Sequence, residues 1–292
     1  MQPSELARAT TSLSADYRGA GSPVKLTRNQ AVAYAVTRMP ATFAALSAVL
    51  RELPIRPRSV LDLGSGTGAA AWAVGTVDRV TLVERDREML RVAQELEPPG
   101  MPRWREHDVT QVLAWDPHDL VIVSYLLGEL GEGEGARLVR SAWEAATQFV
   151  LIIEPGTPAG YARVLGARSQ LLELGASIAA PCPHGGECPL VSLSGDWCHF
   201  SERLERTRAH RFAKKADLGY EDEKFSYVLA GRPGLKPDEE RPFRRVLRHP
   251  RFEKGLVKLR LCAPSGIAEQ TISKGDQEHY RRARKVHWGD RF

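Results

Sequence analysis

The chain has 292 residues, 42% hydrophobic and 26% charged, a composition that supports a large buried core and excludes global disorder. Its longest apolar runs fall well short of the roughly 20 residues that span a bilayer, so no membrane segment is expected. The net charge of +5 is uneven: residues 241–292 hold 14 Lys or Arg against 5 Asp or Glu, leaving the first 240 at −4, and such a basic end points to a polyanionic partner, nucleic acid above all.

In chain order, "MQPSELARATTSLSADYRG" lacks the apolar block of a signal peptide and carries acids that argue against a transit peptide. A cytoplasmic protein is expected, in which grouped cysteines bind metal rather than form disulfides. "NQAVAYAVTRMPATFAALSAVLREL" predicts two helices, the second started by Pro40 and carrying Phe43, Leu46, Leu50 and Leu53 on its apolar face. From Val60 onward, short apolar segments alternate with helical stretches: "SVLDLG", "RVTLVER", a weaker "RWREHDV", "DLVIVSY" and "FVLIIEP". Continuous apolar strands alternating with helices imply a parallel sheet covered on both faces, an α/β doubly wound domain.

Beyond Glu154, "YARVLGARSQLLELG" predicts a helix with Val164, Leu171 and Leu174 on one side. A cysteine-bearing loop follows. "KFSYVLAG", "GLVKLRLCAP" and "GIAEQTISK" read as three further strands, the last two joined by a Pro-Ser-Gly turn. Four units are expected: an N-terminal helical region (1–56), a Rossmann-like domain (57–176), a cysteine-rich metal-binding insertion (177–222) and a basic, β-rich C-terminal region (223–292).

"VLDLGSGTGAAAWAV" places Gly64, Gly66 and Gly68 between a strand and a helix, where glycine permits a tight turn and close approach of the backbone to a ligand. Glu84 ends the next strand, 22 residues beyond Asp62, where an acid can accept both hydroxyls of a ribose. A dinucleotide fingerprint would put its third glycine one residue later. The pattern D-x-G-x-G-x-G instead resembles motif one of class I S-adenosylmethionine-dependent methyltransferases. That resemblance implies Gly64, Ser65, Gly66 and Gly68 bordering the methionine part of the cofactor, with Asp62 supporting the loop and Glu84 holding the ribose. It further implies Asp108 facing the adenine amino group, Val109 against its ring, and Ser124 with Tyr125 flooring the pocket. No catalytic residue emerges: the fourth strand continues as "SYLLGEL" without a [DN]-P-P-[YF] motif, no cysteine nucleophile lies near it, and Glu129 and Glu154 are the nearby acids.

Three of the four cysteines crowd into "CPHGGECPLVSLSGDWC", as Cys182, Cys188 and Cys198, and the fourth is Cys262. The gaps of 5, 9 and 63 residues are longer than those of paired zinc knuckles, and suit thiolates wrapping a cuboidal [4Fe-4S] cluster. Zinc, with His184 or His199 as substitute ligands, and four unrelated buried thiols are the alternatives.

With "LSADYR", "AYAVTRMPATFAAL", "CPHGGECPL", "WCHFSERLER" and "YRRARKVHWGD" added to the glycine loop, the chain resembles over nearly its whole length the mitochondrial ribosome small-subunit assembly methyltransferase-like family and its bacterial relatives. The resemblance implies an iron-sulfur cluster on Cys182, Cys188, Cys198 and Cys262 and a place on the small ribosomal subunit and its rRNA. Without a transit peptide, a bacterial-type member is expected, monomeric off the ribosome. Phe243, Arg244, Arg245, Arg248, His249 and Arg251, together with Arg281, Arg282, Arg284, Lys285 and Trp288, are the expected phosphate and base contacts. Three functions remain in view: an rRNA methyltransferase, a non-catalytic RNA-binding assembly factor with a structural or redox-sensing cluster, and a small-molecule methyltransferase.

Overall fold

The computed structural model describes residues 1–16, 25–111, 113–193, 195–235 and 243–292; Tyr17 and Arg18 of the "LSADYR" segment lie outside them. The N-terminal part is helical: α1 (Pro3–Asp16), α2 (Arg28–Thr37) and α3 (Met39–Leu50). Thr27 caps α2 in a capping box with Gln30, and Pro40 sits in the first turn of α3. The buried face of α3 is Ala41, Thr42, Ala45, Leu46 and Val49, while Phe43 is exposed. The expected apolar face holds for Leu46 and, in part, for Leu50 and Leu53. Small side chains let α3 lie close to the sheet, and the bulky Phe43 is turned to solvent.

Next come β1 (Ser59–Leu63), α4 (Ala69–Val74), β2 (Arg79–Glu84), α5 (Arg87–Glu95), β3 (Arg103–Glu106), β4 (His118–Ser124), α6 (Glu132–Ala145), β5 (Ala146–Pro155) and α7 (Pro158–Glu173). They are followed by β6 (Ser177–Ala180), β7 (Phe200–Glu205), α8 (Arg208–Lys214) and β8 (Tyr220–Gly231). These strands form one sheet in the order β3-β2-β1-β4-β5-β8-β6, with β7 also paired to β8. The first five are parallel, and β8 runs antiparallel to β5, β6 and β7.

Alternation along the strands splits the core in two. Val121, Val123, Val150 and Ile152 meet α6 and α7, whereas Leu120, Ile122, Leu151 and Ile153 meet α3 and α4. This is the doubly wound arrangement expected, Rossmann-like with an antiparallel strand beside β5.

The rest of the chain, β9 (Arg245–Val246), β10 (Arg251–Glu253), β11 (Leu256–Ala263), β12 (Gly266–Ser273) and α9 (Gln277–Ala283), makes a separate four-stranded sheet. Val257, Leu259 and Leu261 of β11 share a core with Ala283 and Phe292. Cys262 therefore does not sit on the main sheet, as a late strand of it would; it faces the main sheet from the second one. Residues 223–231 belong to the first sheet, so the expected start of a C-terminal unit at 223 cuts through β8. Among the described residues no single helix is long and apolar enough to cross a membrane; α2 and α3 reach that length only together and are bent by 45°.

Candidate cofactor loop and four-cysteine centre

The glycine loop leaves β1 and turns back on β2. The N–H groups of Gly64 and Ser65 both donate to Val83 O at 2.9 Å. Gly64, Gly66 and Gly68 have φ of 79°, 54° and 83°, the left-handed region where a side chain is strained. At Gly64 a Cβ would also lie 2.5 Å from Leu126 Cδ2, so the Leu126 side chain would have to shift. A Cβ at Gly66 would point at the ring of Tyr34 from 3.7 Å, so α2 roofs the loop.

Glu84, at the end of β2, accepts the Gly66 N–H through Oε2 and those of Arg85 and Asp86 through Oε1, all at 2.9 Å. Burial raises its pKa and these three donors oppose the rise only in part. Asp62 is buried beneath the loop, and burial, then the nearby Glu84 charge, push its carboxyl up to about 8. Among the described residues its Oδ1 has no hydrogen-bond partner, and neither have Ser65 Oγ and Thr67 Oγ1, whereas buried polar atoms are normally satisfied.

The other expected residues ring the same end of the sheet. Asp108 follows β3; its Oδ1 accepts from Thr110 N at 3.0 Å and Thr110 Oγ1 at 2.8 Å, and Arg85 Nη1 lies 3.6 Å from Oδ2. Burial alone would raise this carboxyl, but Thr110 and Arg85 hold it below its ordinary value. Val109 packs at the edge of the core, and Ser124 ends β4 half-buried. Tyr125 takes φ 56°, a strained conformation worth about 1–3 kcal/mol, and its hydroxyl donates to Glu223 Oε1 at 2.8 Å. Glu154 Oε1 accepts from Leu127 N at 2.9 Å, Arg163 lies 3.6 Å from Oε2, and burial pushes this carboxyl up to about 7. Glu129 is raised by burial, then by Glu84. Tyr34 and Glu223 border this site through tertiary packing, which no local motif assigns to them.

The four cysteines are free thiols lining one cavity, together with Tyr161, Arg168, His184 and Arg245. Cys182 and Cys188 lie in the loop after β6, Cys198 precedes β7, and Cys262 comes in from β11. Burial, then Cys182 and Cys188, push Cys262 up to about 12; burial, then Cys182, Cys188 and Cys262, raise Cys198. Tyr161 Oη is 3.2 Å from Cys188 Sγ, and His184 Nε2 is 3.8 Å from Cys262 Sγ. Among the described residues no group of three or more His, Cys, Asp or Glu is placed so that it could hold a metal ion. Two guanidiniums shape the cavity. Arg168 Nη2 donates to His184 O at 3.0 Å and Gly186 O at 2.7 Å. The fully buried Arg245 donates to Pro181 O at 2.9 Å and Glu52 Oε1 at 2.7 Å, and Arg291 binds the same Glu52 at 2.7 Å. The four thiols thus share one buried cavity with two fixed guanidiniums beside it.

The family model described as "Mitochondrial small ribosomal subunit Rsm22" matches residues 28–292. The chain belongs to the Rsm22 family. Human "Ribosome assembly protein METTL17, mitochondrial" is 28% identical over 299 residues, covering 90% of this chain and 62% of that protein. "Rsm22-cox11 tandem protein 2, mitochondrial" of Schizosaccharomyces pombe is 26% identical over 333 residues, covering 91% of this chain and 43% of that protein. The chain thus spans about half the length of these relatives. Among solved structures, the N-methyltransferase NodS of Bradyrhizobium japonicum, in complex with S-adenosyl-L-homocysteine, aligns with TM-score 0.48 and 11% identity over 77% of this chain and 98% of that one.

In this Rsm22-family chain the basic C-terminal residues divide. Arg245 is not a phosphate contact: it is buried against Glu52. Arg248 pairs with Asp196, and Trp288 packs edge-on to His199 and His249, so both hold the cysteine loop against the second sheet. Arg251, Arg281, Arg284 and Lys285 stay exposed.

Proposed function

We propose that this Rsm22-family chain binds S-adenosylmethionine at the glycine loop and acts on the small ribosomal subunit as a methyltransferase of its rRNA. The carrying observation is the trio of buried, unpaired polar atoms, Asp62 Oδ1, Ser65 Oγ and Thr67 Oγ1, around left-handed glycines at the end of β1. Each orphan costs about 1–3 kcal/mol, a cost that a polar ligand at the loop removes. In this reading Gly64, Ser65, Gly66 and Gly68 border the methionine part. Glu84 meets the ribose with the acceptor capacity its three backbone bonds leave, Asp108 and Val109 bound the adenine, and Ser124 floors the pocket. When bound, the cofactor supplies an electrophilic methyl group on a sulfonium. The chain's own work is positioning: Tyr34 and Leu126 exclude water above the loop, and the end of β4 aligns the acceptor.

A second reading, an RNA-binding assembly factor without turnover, is favoured by the end of β4, where Tyr125 is tied to Glu223 and Leu126 lies over Gly64. Incubating the protein and immature small subunits with methyl-labelled cofactor separates the two. Label in small-subunit RNA is expected; cofactor binding without label favours the second reading, and no binding by calorimetry sinks the cofactor assignment.

The proposal includes a [4Fe-4S] cluster on Cys182, Cys188, Cys198 and Cys262, zinc being the alternative, supported by four convergent free thiols beside Arg168 and Arg245. Off the ribosome the chain is taken as a monomer. Both relatives are named as mitochondrial, so the compartment proposed is that of a mitochondrial-type small subunit, in place of the generic cytoplasm expected from the N-terminal residues.

A further inference from the structure

Resting on that reading, we propose that the outward face of α8, with the groove it forms against α1, is a docking surface for single-stranded RNA. The helix is anchored from one side only. On its inner side, Arg206 Nη2 and Lys214 Nζ reach Glu221 of β8 at 2.7 and 2.9 Å, and the buried His210 lies 3.6 Å from the same carboxylate. Ala213 packs against Leu6, Ala9 and Leu13 of α1. Arg208, Arg211 and Lys215 follow at helical spacing on the opposite side, with Phe212 between them, and all four are exposed. Lys215 continues the stripe from the position that caps the helix.

These side chains line an open groove of about 530 Å³ with Ala7 of α1 and Asp217. Three cations against one acid leave the lining at +2. The side chains of Arg208 and Lys215 have no ion-pair or hydrogen-bond partner among the described residues, and that of Arg211 reaches only a backbone oxygen, Asp217 O at 3.2 Å. Phe212, 53% exposed, costs apolar surface in water unless something covers it. Unneutralised cations flanking an exposed aromatic ring match the needs of a nucleic acid strand: phosphates on the cations, an unpaired base on the ring. An acidic protein would use the charges and leave the ring without a π-faced partner.

Position makes the patch more than a basic surface. Glu221 and Glu223 point to the same face of β8, two residues apart, and Glu223 takes the Tyr125 hydroxyl at the end of β4. Tyr34, whose ring faces Gly66, packs in the same apolar cluster as Ala213 of α8. Through both connections α8 is tied to elements that border the glycine loop.

The test uses the full chain and a fluorescein-labelled single-stranded oligouridine, read by anisotropy over a salt series, with S-adenosylmethionine binding read separately by calorimetry. Replacing Arg208, Arg211 and Lys215 together by Gln is expected to lower the salt slope by about 2, at roughly 0.7 per phosphate contact on a single strand. Phe212→Ala is expected to weaken binding by roughly 5- to 100-fold, the worth of one stacked base, with that slope unchanged. Circular dichroism and cofactor affinity should match the parent in both variants. Unchanged RNA affinity and slope in both variants overturns the proposal, as does preference of the parent for an acidic peptide over the oligonucleotide. Loss of cofactor binding in the parent speaks against the cofactor reading and leaves this result readable by itself.

Discussion

The glycine loop and the cysteine centre are built in opposite ways. The loop takes its parts from one stretch, Asp62 to Gly68, and one residue on the neighbouring strand, Glu84, so its geometry follows from a single β–loop–α unit. The centre draws Cys182 and Cys188 from a loop, Cys198 from the approach to β7 and Cys262 from a second sheet, and the charges beside it tie in Glu52 from the end of α3. A local site fails locally; a centre assembled from distant pieces also holds those pieces together. Its loss should therefore be felt in the architecture.

The largest expected effect is at the centre. Cys262→Ser should abolish loading of the proposed cluster and let residues 243–292 loosen from the main sheet, giving early cleavage there in limited proteolysis. Metal retained with the parent's cleavage pattern would falsify the view of the centre as a staple. Next is Glu52→Ala, which strands the buried Arg245 and should cost about 3–5 kcal/mol in denaturant unfolding; a loss under 1 kcal/mol would mean that Arg245 is solvated. Smaller and confined to the loop is Gly64→Ala, where a Cβ meets Leu126 at φ 79°. It should weaken S-adenosylmethionine binding at least about tenfold, equal to about 1.4 kcal/mol, with the metal content unchanged, and a coupled loss of metal would erase the contrast between the two sites.

A further effect concerns pH. The folded-state pKa of Asp62, about 8, stands above its ordinary value of 3.8, so folding favours the protonated form. Its contribution is complete below about pH 4 and is lost as pH rises through 8. Asp62→Asn should flatten that decline in stability between pH 4 and 8, and parallel curves for parent and variant would show that Asp62 titrates normally.

What the sequence reveals follows the same division. The order strand, glycine loop, helix, strand, acid is legible because its residues are contiguous, and the long apolar strands β4 and β5 announce a sheet covered on both faces. Phe43 misleads because a large apolar side chain suggests burial, whereas Ala41, Ala45 and Val49 are what α3 presents to the sheet. Helix α8 gives no signal: it has seven residues, and its one large apolar side chain, Phe212, faces outward. Cys262 reads as one more residue of a strand, and nothing local says that β11 belongs to a different sheet. Arg245 looks like its basic neighbours Arg244 and Arg248, and only its pairing with Glu52, 193 positions away, separates it from them.

The most direct test is elemental analysis of the full-length chain purified without oxygen. Iron and acid-labile sulfide in equal amounts, matching one cuboidal cluster per chain and both lost in Cys262→Ser, is the expected result. One zinc per chain, or no metal with all four thiols free to alkylating reagent, would contradict it.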